Sequence, residues 1–139
     1  MDRGEHTVSV QDSALLKGSK VFDLDEQWSD RAGYVRYDFR RPGDIPTALH
    51  GKFDGILIDP PFITREVWDQ YAAAAKLLLA GGGRVICTTV AENATLMSEL
   101  FAATATPFKP SIPNLVYQYD LFCNFEPQVL CSANPEVPE

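Results

Sequence analysis

The chain has 139 residues, of which 45% are hydrophobic, enough for one domain with a core of its own. Its 19 acidic side chains outnumber 12 Lys and Arg, for a formal net charge of -7. That balance makes the chain a poor polyanion binder by itself, since nucleic-acid affinity rests on basic side chains facing phosphates. A nucleic-acid substrate would need delivery by a partner, and a basic protein substrate suits the charge better.

The cysteines Cys87, Cys123 and Cys131 form no Cys-x-x-Cys pair, and His6 and His50 are far from them in sequence. A zinc centre is not expected. Cys87 and Cys123 lie in apolar, strand-like runs and read as buried thiols. The longest apolar stretch, around Tyr71–Ala80, is broken by Lys76. No transmembrane or signal segment is expected, and the setting reads as reducing and cytoplasmic.

Residues 1–12 are expected to be a flexible N-terminus, 13–126 the folded domain and 127–139 a flexible, Pro- and Glu-rich tail. Ser13–Lys17 suits a short helix. Lys20–Leu24 (KVFDL) and Gly33–Phe39 (GYVRYDF) predict strands, the second by its alternation of apolar and polar residues. Arg40–Asp44 is a turn punctuated by Pro42-Gly43, and a short helix follows at Ile45–Leu49. Phe53–Ile58 (FDGILI) is apolar without alternation in its second half, as in a central strand covered on both faces. It stops at Asp59-Pro60-Pro61, because two prolines cannot continue a ladder.

A helix is predicted over Thr64–Ala80, with Thr64 as N-cap, Glu66 in the first turn and Val67, Tyr71, Ala74 and Leu78 at helical spacing. Gly81-Gly82-Gly83 is expected to end it. A phosphate-cradling role is disfavoured there, because these glycines follow a helix and precede a strand, the reverse of a strand-loop-helix site. Arg84–Val90 predicts a buried strand, Ala91–Ala105 a helix burying Leu96, Leu100 and Phe101, and Leu115–Phe125 a long aromatic strand after a Pro-rich turn. The alternation of elements argues an α/β fold with a mostly parallel sheet.

In such sheets ligands bind beyond the carboxyl ends of the strands, where Asp59 lies. The two prolines stiffen the turn, so the Asp59 carboxylate and neighbouring carbonyls face one point, with Phe62 as a flat surface beside them. That set suits an amine: acceptors hold its hydrogens, the ring supports it, and the lone pair stays free to attack a methyl group. The bland alternative is a plain turn after a strand.

FDGILIDPPF resembles the Asp/Asn-Pro-Pro-aromatic motif of the amino-methyltransferases. More of the chain, roughly residues 20–125, resembles the N6-adenine-methyltransferase-like family that includes the lysine methyltransferases of translation elongation factor 1-alpha. The match is carried by Val21–Trp28 (VFDLDEQW), Tyr37-Asp38-Phe39 with Arg41-Pro42, Phe53–Phe62, and Leu115–Phe125 approached through Phe108-x-Pro110. The resemblance implies a Rossmann-like seven-strand methyltransferase fold binding S-adenosylmethionine. Only about twenty residues precede Val21, so its first strand-helix unit is expected to be missing or reduced, with Thr7–Val10 as a remnant.

The resemblance also implies site roles. Asp23 and Asp25 are candidates for the ribose hydroxyls, Asp25 slightly preferred. Asp38 is placed near the adenine. Asp59, Pro60, Pro61 and Phe62 form the acceptor-nitrogen pocket, with Asp59 also touching the methionine end of the cofactor. Trp28 and Trp68 read first as packing residues, Asn124 as a weak candidate for lining the substrate pocket, and His50 as a solvated loop residue. Three functions compete: a lysine methyltransferase acting on an elongation-factor-like protein, an N6-adenine methyltransferase on DNA or RNA, and a non-catalytic methyltransferase-like scaffold lacking a complete cofactor site.

Overall fold

A computed structural model describes residues 13–137 of the chain. The expected strand remnant at Thr7–Val10 lies outside the described residues. The chain divides into two compact units, Met1–Asp38 and Phe39–Glu139.

The first unit contains helix α1 (Ser13–Gly18) and strands β1 (Val21–Asp23) and β2 (Tyr34–Arg36). The two strands pair in parallel, with Val21 opposite Tyr34 and Asp23 opposite Arg36. Both are shorter than the sequence pattern predicts. A 3-10 turn at Glu26–Trp28 follows β1, and Gly33 at φ 87 turns the chain into β2. A Cβ at Gly33 would lie 2.6 Å from the Ser19 carbonyl oxygen, so only glycine fits there. Phe22 and Tyr37 meet edge to face, with centroids 5.8 Å apart.

The second unit holds a four-stranded sheet in the order β3-β4-β6-β5, made from β3 (Phe53–Ile58), β4 (Leu79–Val90), β5 (Thr104–Ala105) and β6 (Tyr119–Cys123), with helices α2 (Arg65–Leu78) and α3 (Ala94–Phe101). β3 and β4 are parallel, while β6 runs antiparallel to both β4 and β5. The sheet is therefore mixed rather than mostly parallel. Trp68 and Ala75 of α2 and Leu96 and Met97 of α3 pack with Ile58, Val85, Cys87 and Phe122 to form the core. The paired residues Ile58, Cys87 and Phe122 present one sheet face to the helices. The other face is more open: Leu57 is 70% exposed, so β3 is not covered on both sides as its apolar run suggests.

Three further boundaries differ from expectation. α2 ends at Leu78 with Leu79 as its cap, not at the glycines. Between the pairs Phe53–Leu79 and Gly55–Arg84, β3 uses only Asp54 while β4 loops out Ala80–Gly83. The glycines thus supply a bulge, with Gly82 at φ 75. The helix expected over Ala91–Ala105 is a 3-10 turn at Ala91–Asn93 followed by α3, which stops at Ala102 in the left-handed conformation, φ 53. Ala102 and Ala103 donate their N–H groups back to Ser98 and Met97, giving a cap without the usual glycine signal. Lastly, β6 starts only at Tyr119, and Val116, expected in the strand, is 91% exposed.

Candidate active site

The parallel register that sets Ile58 opposite Cys87 also brings Thr88 beside the residue that follows β3. The Thr88 hydroxyl donates to Asp59 Oδ1 at 2.7 Å. The far end of the same loop is tied by Asn93, whose Nδ2 donates to the Ile63 carbonyl at 2.9 Å and to Thr89 Oγ1 at 3.0 Å. Thr89 is fully buried, so Asn93 is anchored on a rigid strand end. Immediately beyond, Thr64 caps α2 as predicted, accepting from the Val67 N–H. Pro60 and Pro61 carry no N–H and fix their own φ, so the loop between these ties has little freedom.

Phe62 stands 58% exposed at this loop. Its ring lies 6.5 Å from that of Phe39, which stacks on Tyr71 at 5.6 Å with planes 16° apart. Tyr71 in turn adjoins Trp68, the largest fully buried side chain. An exposed carboxylate, a stiff proline turn and an aromatic wall rooted in the core therefore sit together at the carboxyl end of β3. This arrangement can hold an amine: the carboxylate accepts its hydrogens, and the ring faces attract its cationic form.

Thr88, Asn93, Phe39 and Tyr71 were not legible as site residues. Thr88 looks like strand interior until the register is known. Asn93 falls inside the predicted helix, although Asn is favoured at the position just before a helix, which it occupies ahead of α3. Tyr71 matched the apolar helix face.

On the first unit, Asp23 closes β1. Its Oδ1 accepts from the Asp25 N–H at 3.0 Å and its carbonyl from the Tyr34 hydroxyl at 2.8 Å. Burial, followed by the charge of Asp23, pushes the Tyr34 phenol up from 10.0. Asp25 is the N-cap of the next turn: its Oδ1 accepts from the Gln27 N–H at 3.0 Å and its Oδ2 from Gln27 Nε2. Both oxygens of Asp25 thus have local partners, whereas among the described residues Asp23 uses one. Asp38 is half-buried, two residues beyond β2.

Other residues take structural places. Trp68 is in the core, as expected. Trp28 is 41% exposed with the Arg31 guanidinium 6.0 Å from its ring centroid, so it is not packed inside. Asn124 accepts from the Val85 N–H at 2.7 Å and donates to the Gly83 carbonyl at 3.1 Å, extending the sheet upstream on β4 rather than lining the Asp59 loop. His50 is half-buried, with Nε2 3.0 Å from the Ile45 carbonyl. Cys87 and Cys123 are buried as expected. No helix among the described residues is long and apolar enough to cross a membrane.

A class of nitrogen methyltransferases fits this strand-loop-helix geometry, and comparison with known proteins identifies it. Residues 7–127 match the family model described as "Probable N6-adenine methyltransferase", and the chain belongs to that family. It is 31% identical over 114 residues to a protein-lysine N-methyltransferase of Caenorhabditis elegans, covering 80% of this chain and 52% of that protein. It is 29% identical over 122 residues to the protein-lysine N-methyltransferase EFM5 of Saccharomyces cerevisiae, covering 76% and 49%. EEF1A lysine methyltransferase 1 of Bos taurus is 25% identical over 122 residues, covering 85% and 53%. The chain spans about half the length of these curated relatives.

Proposed function

We propose that the protein transfers a methyl group from S-adenosylmethionine to a lysine side chain of an elongation-factor-like protein. The observation that carries this reading is the tied loop at Asp59–Phe62, an acceptor and ring set built for an amine on a methyltransferase family scaffold. The relatives named as protein-lysine methyltransferases, one of them for EEF1A, support lysine as the acceptor. The net charge of -7 also favours a basic protein over a nucleic acid. Parallel pairing of β1 with β2 in the first unit, and of β3 with β4 in the second, supports a Rossmann-like methyltransferase fold.

The residues present fit the cofactor in part by their donor chemistry. Asp23, at the end of β1 with one carboxylate oxygen uncommitted among the described residues, suits the ribose hydroxyls better than Asp25, whose oxygens are both engaged. Asp38 takes the adenine side. When bound, S-adenosylmethionine supplies an electrophilic methyl group on a sulfonium. Asp59 accepts a hydrogen of the lysine amine and orients its lone pair, with Thr88 holding the carboxylate. Phe62, backed by Phe39 and Tyr71, supports the methylene stem and the ammonium. Asp59 would guide a proton of the lysine ammonium to water and so leave the nitrogen lone pair free for the methyl group that the cofactor would supply.

Mass spectrometry of elongation factor 1A incubated with the purified chain and S-adenosylmethionine tests the proposal. Methyl-lysine that disappears in Asp59→Ala is the expected result. Unmodified lysines, under conditions in which a full-length relative methylates the same factor, would refute it.

A further inference from the structure

A second concavity lies on the same rim of the second unit. A cavity of about 180 Å³ is lined by Pro110, Leu115, Tyr117, Gln118, Tyr119 and Glu136, among others. Its walls are tied down at two places. The Ala91 N–H donates to the Gln118 carbonyl at 2.9 Å, joining the loop before β6 to the end of β4. Buried Asn134 donates to the Lys109 carbonyl at 2.8 Å and accepts from the Glu136 N–H at 3.1 Å, which sets Glu136 against that loop. The nearby cation is otherwise engaged: Lys109 Nζ is 3.8 Å from the buried Asp120 carboxylate. Among the described residues Glu136 makes no ion pair, and it is exposed. The cavity lining is more polar than apolar, and it brings the Leu115, Tyr117 and Tyr119 side chains together with a single carboxylate.

Its position relates it to the Asp59 loop. Ile58 pairs with Cys87, and Tyr119 pairs with Val90, so both features lie at the carboxyl end of β4. They are separated by two strand spacings across the sheet and about two residues along it, roughly 12 Å. An extended peptide covers that span in about three to four residues.

We propose that this cavity binds a second basic side chain of the protein substrate, a Lys or Arg three to four residues from the acceptor lysine. The aliphatic stem lies along Leu115 and the tyrosine rings, and the cationic head reaches Glu136. This rests on the lysine-transfer reading above, and it gives that reading a sequence requirement in the substrate.

The full chain is titrated with two blocked pentapeptides, acetyl-Lys-Ala-Ala-Ala-Lys-amide and the same peptide with norleucine in the fifth position, while backbone amide shifts are followed. The di-lysine peptide binds about fivefold tighter, with shifts at Gln118, Tyr119 and Glu136, and Glu136→Gln abolishes the difference. Equal affinity of the two peptides, or a preference that survives Glu136→Gln, overturns the proposal. In methyl transfer to elongation factor 1A, Glu136→Lys raises the KM for protein about tenfold and leaves kcat within about twofold. An unchanged KM also overturns it. Absence of methyl transfer by the wild-type chain, with the peptide preference intact, sinks the catalytic reading but supports the subsite.

Discussion

Replacing Thr88 by Val tests whether the Asp59 carboxylate works because it is held. The substitution keeps the β-branched shape and removes one O–H donor, the 2.7 Å bond to Asp59 Oδ1. Asp59 is exposed and Thr88 half-buried, so water replaces the lost bond in the folded state. The stability cost is therefore under about 1 kcal/mol. The effect on the reaction is larger. A carboxylate free to rotate no longer presents its lone pairs to one point, and misplacing a positioning group by an ångström costs up to about 100-fold. We expect kcat for methyl transfer to elongation factor 1A to fall about 10- to 100-fold in Thr88→Val, with S-adenosylmethionine affinity by calorimetry changed less than about twofold. Thr88→Ser, which keeps the hydroxyl, retains most of the rate. Radiolabelled methyl transfer and urea unfolding provide the two readouts. Wild-type kcat in Thr88→Val, or an equal loss in Thr88→Ser, would refute the orienting role.

Three other outcomes follow from the packing and ionisation of the second unit. Trp68→Ala empties the fully buried centre of the core and costs about 3–5 kcal/mol in urea unfolding. Trp68→Phe costs much less, since it removes an indole Nε1 with no acceptor among the described residues. Asn124→Ala takes away partners of the Val85 N–H and the Gly83 carbonyl and lowers stability by about 2 kcal/mol, while leaving the substrate KM unchanged. Burial, then the neighbouring Cys123, pushes the Cys87 thiol up to about 12 from 9.0. The folded chain keeps a proton that the unfolded chain releases, so the thiol's contribution is intact below pH 9 and is lost as pH rises towards 12. The loss runs at up to about 1.4 kcal/mol per pH unit. Urea midpoints at pH 8 and 10.5 measure it, and Cys87→Ala reduces the slope.

Much of the local structure was legible because it is enforced by near neighbours in the chain. The double proline ends β3 wherever the strand is placed. Thr64 caps α2 because its hydroxyl reaches the N–H three residues on. The errors fell where distant segments decide. Gly81–Gly83 look like a helix stop, but pairing with β3 turns them into a bulge. Leu115–Gln118 have strand composition, yet among the described residues no partner strand runs beside them, and they become the exposed loop that lines the second cavity.

The Asp59-Pro60-Pro61-Phe62 segment follows the same division. Sequence alone determined a rigid turn at a strand end, with a carboxylate and a ring three positions apart, because proline restricts the backbone without help from the rest of the fold. Only tertiary structure decided what holds that turn. Thr88 and Asn93 reach it from β4 and the turn beyond, and Phe39 and Tyr71 stand behind its ring. These contacts join residues 23 to 32 positions apart, so their meeting depends on strand register and helix packing that no local pattern encodes.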